Sequence, residues 1–124
     1  MTGLTLDSGM LIGLERRKQR AVDVYRRAKE RGARLTVPTP IIGEWWRGRS
    51  DIREDILLSV VVEPLSEAVA KLAGEAIARV AGATPVDAYV MASAAIRGDD
   101  VLTSDVDDLT RLQAYFRRVR VFGV

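Results

Sequence analysis

Residues 100–109 read DVLTSDVDDL, and this stretch joins a predicted strand to three closely spaced acids. The first four residues are apolar or β-branched for the most part, which predicts a short buried strand. Asp105 then predicts the start of a helix that runs to about Phe116. With Asp107 and Asp108, it places three like charges within four positions. Because like charges repel, the stretch needs a partner that balances them.

The same alternation of strand and helix recurs along the chain. We predict strands at residues 4–6, 34–37, 59–65, 100–103 and 118–124, the last as an edge strand with one buried face. Predicted helices begin at residues 7–8, 19, 39, 66, 84 and 105. The pattern indicates an α/β fold, a three-layer sandwich with a short, mostly parallel sheet flanked by helices. In such a sheet, the first and fourth strands can be neighbours.

Length and composition predict one globular domain over residues 1–124. The chain is 48% hydrophobic and 29% charged, which is typical of a folded soluble protein. The longest nearly apolar run, residues 86–96, is too short to span a bilayer. No signal-like segment is present at the start, so we expect a cytoplasmic protein without membrane contact.

The chain contains no histidine and no cysteine. This excludes Ser-His-Asp and Cys-His catalysis, thiolate metal sites and histidine-based RNA cleavage. Any catalysis must therefore use carboxylates, hydroxyls, lysine or arginine. Basic residues number 19 against 17 acids, and sixteen of them are arginine. This suits phosphate binding, although a GC-rich coding sequence would favour arginine equally.

Four acids occupy positions where a parallel sheet would gather them. Asp7 and Asp105 directly follow the first and fourth strands, and ligands of α/β sheets bind at that edge. Asp87 is the third residue of an otherwise apolar helix, and Glu44 lies about one turn into another. Each also fits a plain structural role, as a helix cap or a solvated side chain. Together they would require a cation, and oxygen ligands alone favour Mg²⁺ or Mn²⁺.

Four motifs around these acids resemble, in order, the acidic motifs of the PIN-domain family. They are LTLDSGMLIGL, PIIGEWWRG, TPVDAYVMASAA and LTSDVDDLTRL. The length and the short Asp-Ser start are most similar to VapC-type toxins of bacterial toxin–antitoxin pairs. The resemblance implies a metal-dependent endoribonuclease that uses Mg²⁺ or Mn²⁺, acts on RNA, binds a small VapB-type antitoxin and forms a homodimer.

The resemblance also assigns roles to individual residues. Asp7, Glu44, Asp87 and Asp105 match the family's catalytic acids, and Asp7 and Asp87 match its principal Mg²⁺ ligands. With Asp105, these two would hold the metal or its waters, while Glu44 would ligate or accept a proton. Metal-activated water would then attack the phosphodiester.

Several further residues are candidates with supporting roles. Thr103 and Ser104 match the small hydroxyl position before the fourth acid, which would orient a water, and Asp108 is a weaker match. Asp107 and Asp108 also suit the dipole of a first helical turn. Candidate phosphate contacts near the acids are Arg16, Arg47 and Arg49, which could equally be solvated helix ends.

Two questions remain open, the place of the two tryptophans and the possibility of an inactive module, and two other assignments do not fit the sequence. Trp45 and Trp46 point about 100° apart on a helix, so one or both could be core, or one could contact a partner. A phosphoacceptor receiver domain would need an acid pair after the first strand and a late lysine, but no lysine follows Lys71. A catalytically inactive PIN-like module that binds RNA or protein would keep the same fold. Larger flap-type nucleases need helices for which this chain has no room.

Overall fold

A five-stranded parallel sheet forms the centre of the computed structural model, which describes residues 2–124. The strands are β1 (Leu4–Leu6), β2 (Leu35–Pro38), β3 (Val61–Glu63), β4 (Asp100–Thr103) and β5 (Val121–Gly123). Their order is β3-β2-β1-β4-β5, and all four pairings are parallel. The predicted α/β fold is confirmed, and the first and fourth strands are neighbours.

Within residues 2–124, seven helices flank this sheet. They are α1 (Ser8–Glu15), α2 (Gln19–Glu30), α3 (Thr39–Trp45), α4 (Asp51–Leu58), α5 (Glu67–Arg79), α6 (Pro85–Arg97) and α7 (Val106–Gln113). Ser66 and Thr84 cap α5 and α6, because each side chain accepts the backbone N–H three residues on. Gly98 ends α6 with φ of +75°, where a side chain would be strained. No helix among the described residues is long and apolar enough to cross a bilayer.

The hydrophobic core lies around the three central strands. All residues of β1, β2 and β4 are buried, as the apolar and β-branched composition of these strands predicts. Met10 and Leu11 of α1 and Met91 of α6 are also fully buried. Each large apolar side chain buried in this way contributes about 1.5–3 kcal/mol, which holds the strand ends in fixed positions.

The periphery differs from the sequence prediction in three places. The predicted strand 59–65 is only three residues long, and Val61 and Val62 are each 39% exposed because β3 is an edge strand. Helix α4 was not predicted, since Ile56 is its one fully buried residue and the apolar pattern is weak. Helix α7 ends at Gln113, before Phe116, and β5 is shorter than the predicted final strand.

Candidate active site

Asp7 links the first and fourth strands at the carboxyl edge of the sheet. It caps α1, where its Oδ1 accepts the backbone N–H of Met10 at 3.0 Å. Its Oδ2 accepts the hydroxyl of Thr103 at the end of β4. Its own N–H donates to the carbonyl of Leu102 at 3.2 Å. The carboxylate is therefore fixed in position by two elements that lie far apart in sequence.

The environment of Asp7 opposes its ionisation. Burial, with a smaller effect from the charges on Asp87 and Glu44, raises the pKa of its carboxyl to about 6. The hydrogen bonds from Thr103 and from the N–H of Met10 lower that pKa, but they do not offset the burial. Ionising the Asp7 carboxyl in the folded protein therefore costs free energy.

Asp87 reaches the same region from α6. Its N–H donates to the Thr84 hydroxyl at 3.3 Å, which places it in the first turn of the helix. Burial is the largest cause of the raised pKa of its carboxyl, and the charges of Glu44 and Asp105 add to it, against the Thr84 hydrogen bond. Glu44 is exposed in the last turn of α3. Three elements therefore bring acids within electrostatic reach of one another.

Asp105 begins α7, but its side chain accepts no capping hydrogen bond from that helix. Its N–H instead donates to the Thr103 hydroxyl at 2.8 Å, so Thr103 connects Asp105 to Asp7. A side-chain hydrogen bond with Asp105, followed by the charge of Asp105, raises the pKa of the exposed Asp108. Asp107 is exposed in the first turn of the same helix.

Gly9 is a structural requirement of this site that the sequence analysis missed. A Cβ at this position would lie 1.8 Å from the Oγ of Ser104 and 2.7 Å from its Cβ. The absence of a side chain lets the first turn of α1 lie against the turn between β4 and α7. A glycine two residues after the first acid was the only signal in the sequence.

The flanking arginines divide into two groups. Arg16 and Arg47 border a depression of about 240 Å³ that Glu44 also lines. Arg47 donates to the carbonyl of Trp46 at 2.8 Å. Arg49 is exposed and does not line this depression.

The two tryptophans behind Glu44 differ in burial. Trp45 is core, since it is 3% exposed and its indole N–H donates to Glu15 Oε1 at 2.8 Å. Trp46 is partly buried and packs edge-to-face on Trp45, with ring centroids 6.0 Å apart. The side chain of Trp46 is therefore the only one of the pair with surface left for a partner.

The candidate ligands at this edge are carboxylate and hydroxyl oxygens, which fit a hard divalent cation. A bound cation would lower the pKa of Asp7 and Asp87, against the burial and the like charges that raise it. Within residues 2–124, however, no three acidic side chains lie close enough to hold an ion as they stand. The acids influence one another without forming a complete coordination shell.

A second charged network lies beneath α6 and was not predicted. Arg97 donates to Glu63, to Asp99 at 3.0 Å, to Ser93 at 2.7 Å and to Thr5 at 2.6 Å. Ser93 also donates to Glu63 at 2.6 Å, and Thr5 donates to Asp99 at 3.0 Å. One arginine therefore balances two acids and ties α6 to β1 and β3.

Comparison with known proteins identifies the family. The sequence profile of the PIN domain matches residues 4–114. A comparison with curated protein sequences gave no match. A chain of DNA-bound VapBC from Salmonella typhimurium superposes with a TM-score of 0.76 at 16% identity, covering 99% of this chain and 98% of that one.

Two further solved structures share this fold. A chain of VapBC2 from Rickettsia felis, bound to a promoter DNA fragment, has a TM-score of 0.75 at 9% identity and covers 98% of both chains. A chain of FitAcB from Neisseria gonorrhoeae has a TM-score of 0.65 at 16% identity, covering 97% of this chain and 96% of that one. These likenesses show the fold, and the profile covers most of the chain. The chain therefore belongs to the PIN-domain family.

Proposed function

We propose that this chain is a metal-dependent endoribonuclease and the toxin of a VapBC-type toxin–antitoxin pair. PIN domains are in general nucleases, which supports hydrolysis of a phosphodiester bond. The observation that carries the proposal is the gathering of four acids, from four elements, at one edge of the sheet, where burial and like charges raise the pKa of Asp7 and Asp87. Such an arrangement destabilises the fold, so a functional ligand is its simplest explanation.

Each residue at this edge has a defined part in the proposed reaction. When bound, Mg²⁺ or Mn²⁺ supplies an activated water and neutralises charge on the phosphate. Asp7, Asp87 and Asp105 would hold the cation or its waters, and the exposed Glu44 would accept the proton of the attacking water. Thr103 keeps Asp7 and the start of α7 in register, and Asp108 supports Asp105. Ser104 lies beside them and is free to orient water.

The test is analysis of the ends of cleaved RNA. Attack by water breaks the bond between phosphorus and O3′, which leaves a 5′-phosphate and a 3′-hydroxyl. We expect these ends with Mg²⁺ or Mn²⁺ at neutral pH, and at least about a hundredfold loss of rate for Asp7→Ala and Asp87→Asn, on the scale of a lost acid–base group. A 2′,3′-cyclic phosphate, or cleavage that persists in EDTA, would contradict the mechanism.

A catalytically inactive PIN-like module is the second candidate. It is favoured by the finding that, within residues 2–124, no three acids already lie at ion-holding distance. Calorimetry distinguishes the two candidates, because an inactive module should bind neither Mg²⁺ nor Mn²⁺, with or without RNA.

Partners follow from the same proposal. The similar solved structures are of the complexes VapBC and FitAB, which supports a small VapB-type antitoxin as partner of this chain. We also propose that the protein is a cytoplasmic homodimer. Apolar side chains exposed between Leu58 and Leu65 support a protein contact. Light scattering that finds only monomer at micromolar concentration would exclude the dimer. Co-expression with the neighbouring small open reading frame should abolish toxicity if that frame encodes the antitoxin.

A further inference from the structure

A large groove lies away from the four acids. It has a volume of about 760 Å³ and lies between α2 and the part of the sheet formed by β4 and β5. Its floor includes Leu4, Leu102 and Phe122. The sheet is open to solvent here, since Phe122 is 44% exposed. The groove is bounded by one helix and one edge strand, so it is accessible along its length.

The wall formed by α2 is basic. Arg20, Arg27 and Arg31 line the groove at spacings of seven and four residues, which place them on one face of the helix. They span about 17 Å along the helix axis, at about 1.5 Å per residue. None of the three forms an ion pair with an acid in the part of the chain that the structure describes. Their guanidinium groups are therefore available to a ligand.

Two acids also line this groove, but both have partners. Asp100 accepts two hydrogen bonds from Arg120, at 2.8 and 3.2 Å. Asp23 accepts the side-chain amide of Gln19 at 2.8 Å and lies 3.8 Å from Arg26. The arginines of the α2 wall are left as the uncompensated charge, which favours an anionic ligand.

The groove continues towards the acids. Arg20 also lines a second depression of about 160 Å³, whose other borders include Lys18, Gly9 and Ser104. Gly9 and Ser104 contact each other at the acid edge, and Ser104 directly precedes Asp105. A basic path therefore runs from Arg31 along α2 and reaches the site where the phosphodiester would be cut.

We propose that this path binds the single-stranded RNA that flanks the scissile bond. The inference rests on the proposed nuclease function for its direction, but the binding it describes is separate from cleavage. Arginine pairs with backbone phosphates, and the exposed ring of Phe122, with Arg120 stacked 5.6 Å from it, is a platform for a base. An acidic peptide could form ion pairs with the arginines but would offer no base to stack on Phe122.

The experiment is a salt titration of RNA binding in EDTA, where metal-dependent cleavage is absent. The probe is a fluorescein-labelled single-stranded RNA of twelve nucleotides, followed by anisotropy. The test variant is Arg27→Gln with Arg31→Gln. The control is Arg79→Gln with Arg118→Gln, which removes the same charge from two exposed arginines outside the groove. Matched melting temperatures confirm that both variants are folded.

For single strands, each phosphate contact contributes about 0.7 to the slope of log K against log salt. We therefore expect the test variant to lower the slope by about 1.4 and to weaken binding at least about tenfold, while the control changes neither. Phe122→Ala should weaken binding by about tenfold with the slope unchanged, because stacking releases no counterions. Equal effects of test and control variants, or no RNA binding by the parent protein, would overturn the inference.

Two further outcomes separate this inference from the proposed function. If the test variant cleaves RNA in the presence of metal and binds it with unaltered affinity, the nuclease proposal stands and the proposal that the groove binds RNA is wrong. If RNA binding depends on the groove but the protein cleaves no RNA, the groove proposal stands and the nuclease proposal is wrong. If poly-glutamate displaces the RNA and its own binding depends equally on Arg27 and Arg31 but not on Phe122, the groove accepts an acidic peptide and the assignment to RNA is wrong.

Discussion

Acids cluster at both ends of α6, but among the described residues only those at the C-terminal end are paired with an arginine. At its C-terminal end, Arg97 pairs with Glu63 and Asp99, and the side chain of Asp99 is only 8% exposed. At its N-terminal end, Asp87 faces other acids, and the pKa of its carboxyl is raised by burial and by the charges of Glu44 and Asp105. The same helix thus carries a balanced cluster and an unbalanced one.

The difference separates structural from functional acids. A buried acid that has an arginine partner holds elements together, whereas acids that repel one another destabilise the fold unless a ligand compensates. On this criterion the Arg97 network is part of the scaffold, whereas the edge around Asp7 has the unbalanced charge expected of the binding site that we propose. The following experiments test that division, beginning with the largest expected change in the free energy of unfolding and ending with the smallest.

Removing Arg97 should have the largest effect. Arg97→Met leaves Glu63 and Asp99 without their cation, and breaking a buried pair in this way costs about 3–5 kcal/mol. Urea unfolding measures the loss. Arg79→Met, at the exposed end of α5, is the matched control and should change stability by less than about 0.5 kcal/mol. A loss below about 1 kcal/mol for Arg97→Met would mean that the network does not stabilise the fold.

Asp7→Asn should instead stabilise the metal-free protein at neutral pH. Because the folded pKa of Asp7 is about 6 and an unfolded aspartate titrates near 4, the folded state binds the proton more tightly. The free energy of unfolding should therefore fall as pH rises from about 4 to about 6, by about 2–3 kcal/mol for this group. The variant should gain about 2 kcal/mol above pH 6 and nothing below pH 4. Urea unfolding in EDTA across this pH range measures the difference. If the free energies of unfolding of the parent and the variant change in parallel with pH, the expectation is wrong.

Adding a divalent cation should balance the charge of the acids around Asp7, as Arg97 balances Glu63 and Asp99. Mg²⁺ or Mn²⁺ at a hundred times its dissociation constant should stabilise the parent protein by about 2.7 kcal/mol. Asp87→Asn should lose most of this gain, whereas Glu75→Gln, on the exposed side of α5, should keep it. Thermal melting with and without EDTA gives the comparison. Equal gains in both variants would place the ion elsewhere.

The smallest effect is expected at Asp105. Its side chain caps nothing, so Asp105→Ala in EDTA should be neutral within about 0.5 kcal/mol or slightly stabilising through relief of repulsion. Ser66→Ala is the reference for a true cap, because Ser66 accepts the N–H of Val69 at 3.1 Å and its loss costs about 1 kcal/mol. If Asp105→Ala is as destabilising as Ser66→Ala, Asp105 acts as a structural cap.

The sequence predicted what depends on local pattern and missed what depends on tertiary contact. Asp7 and Asp105 were found because acids directly follow buried strands, and that rule needs only the order of elements. The partners of Arg97 could not be predicted, since Thr5 and Glu63 meet it only when β1, β3 and α6 pack. The exposure of β3 was missed for a related reason, because an apolar strand reads the same in the centre of a sheet and at its edge.

The hydrogen bond between Asp7 and Thr103 joins residues 96 positions apart, and this separation bears on when the acid edge first exists during synthesis. A nascent chain that has not yet emerged as far as Thr103 has β1 and Asp7 but lacks β4, and it also lacks Asp105. Contacts of such long separation form late, because closing the intervening loop must precede any gain from them. The four acids therefore come together only after the chain has been synthesised past Asp105, and a product that stops before Thr103 carries the first acids without the site.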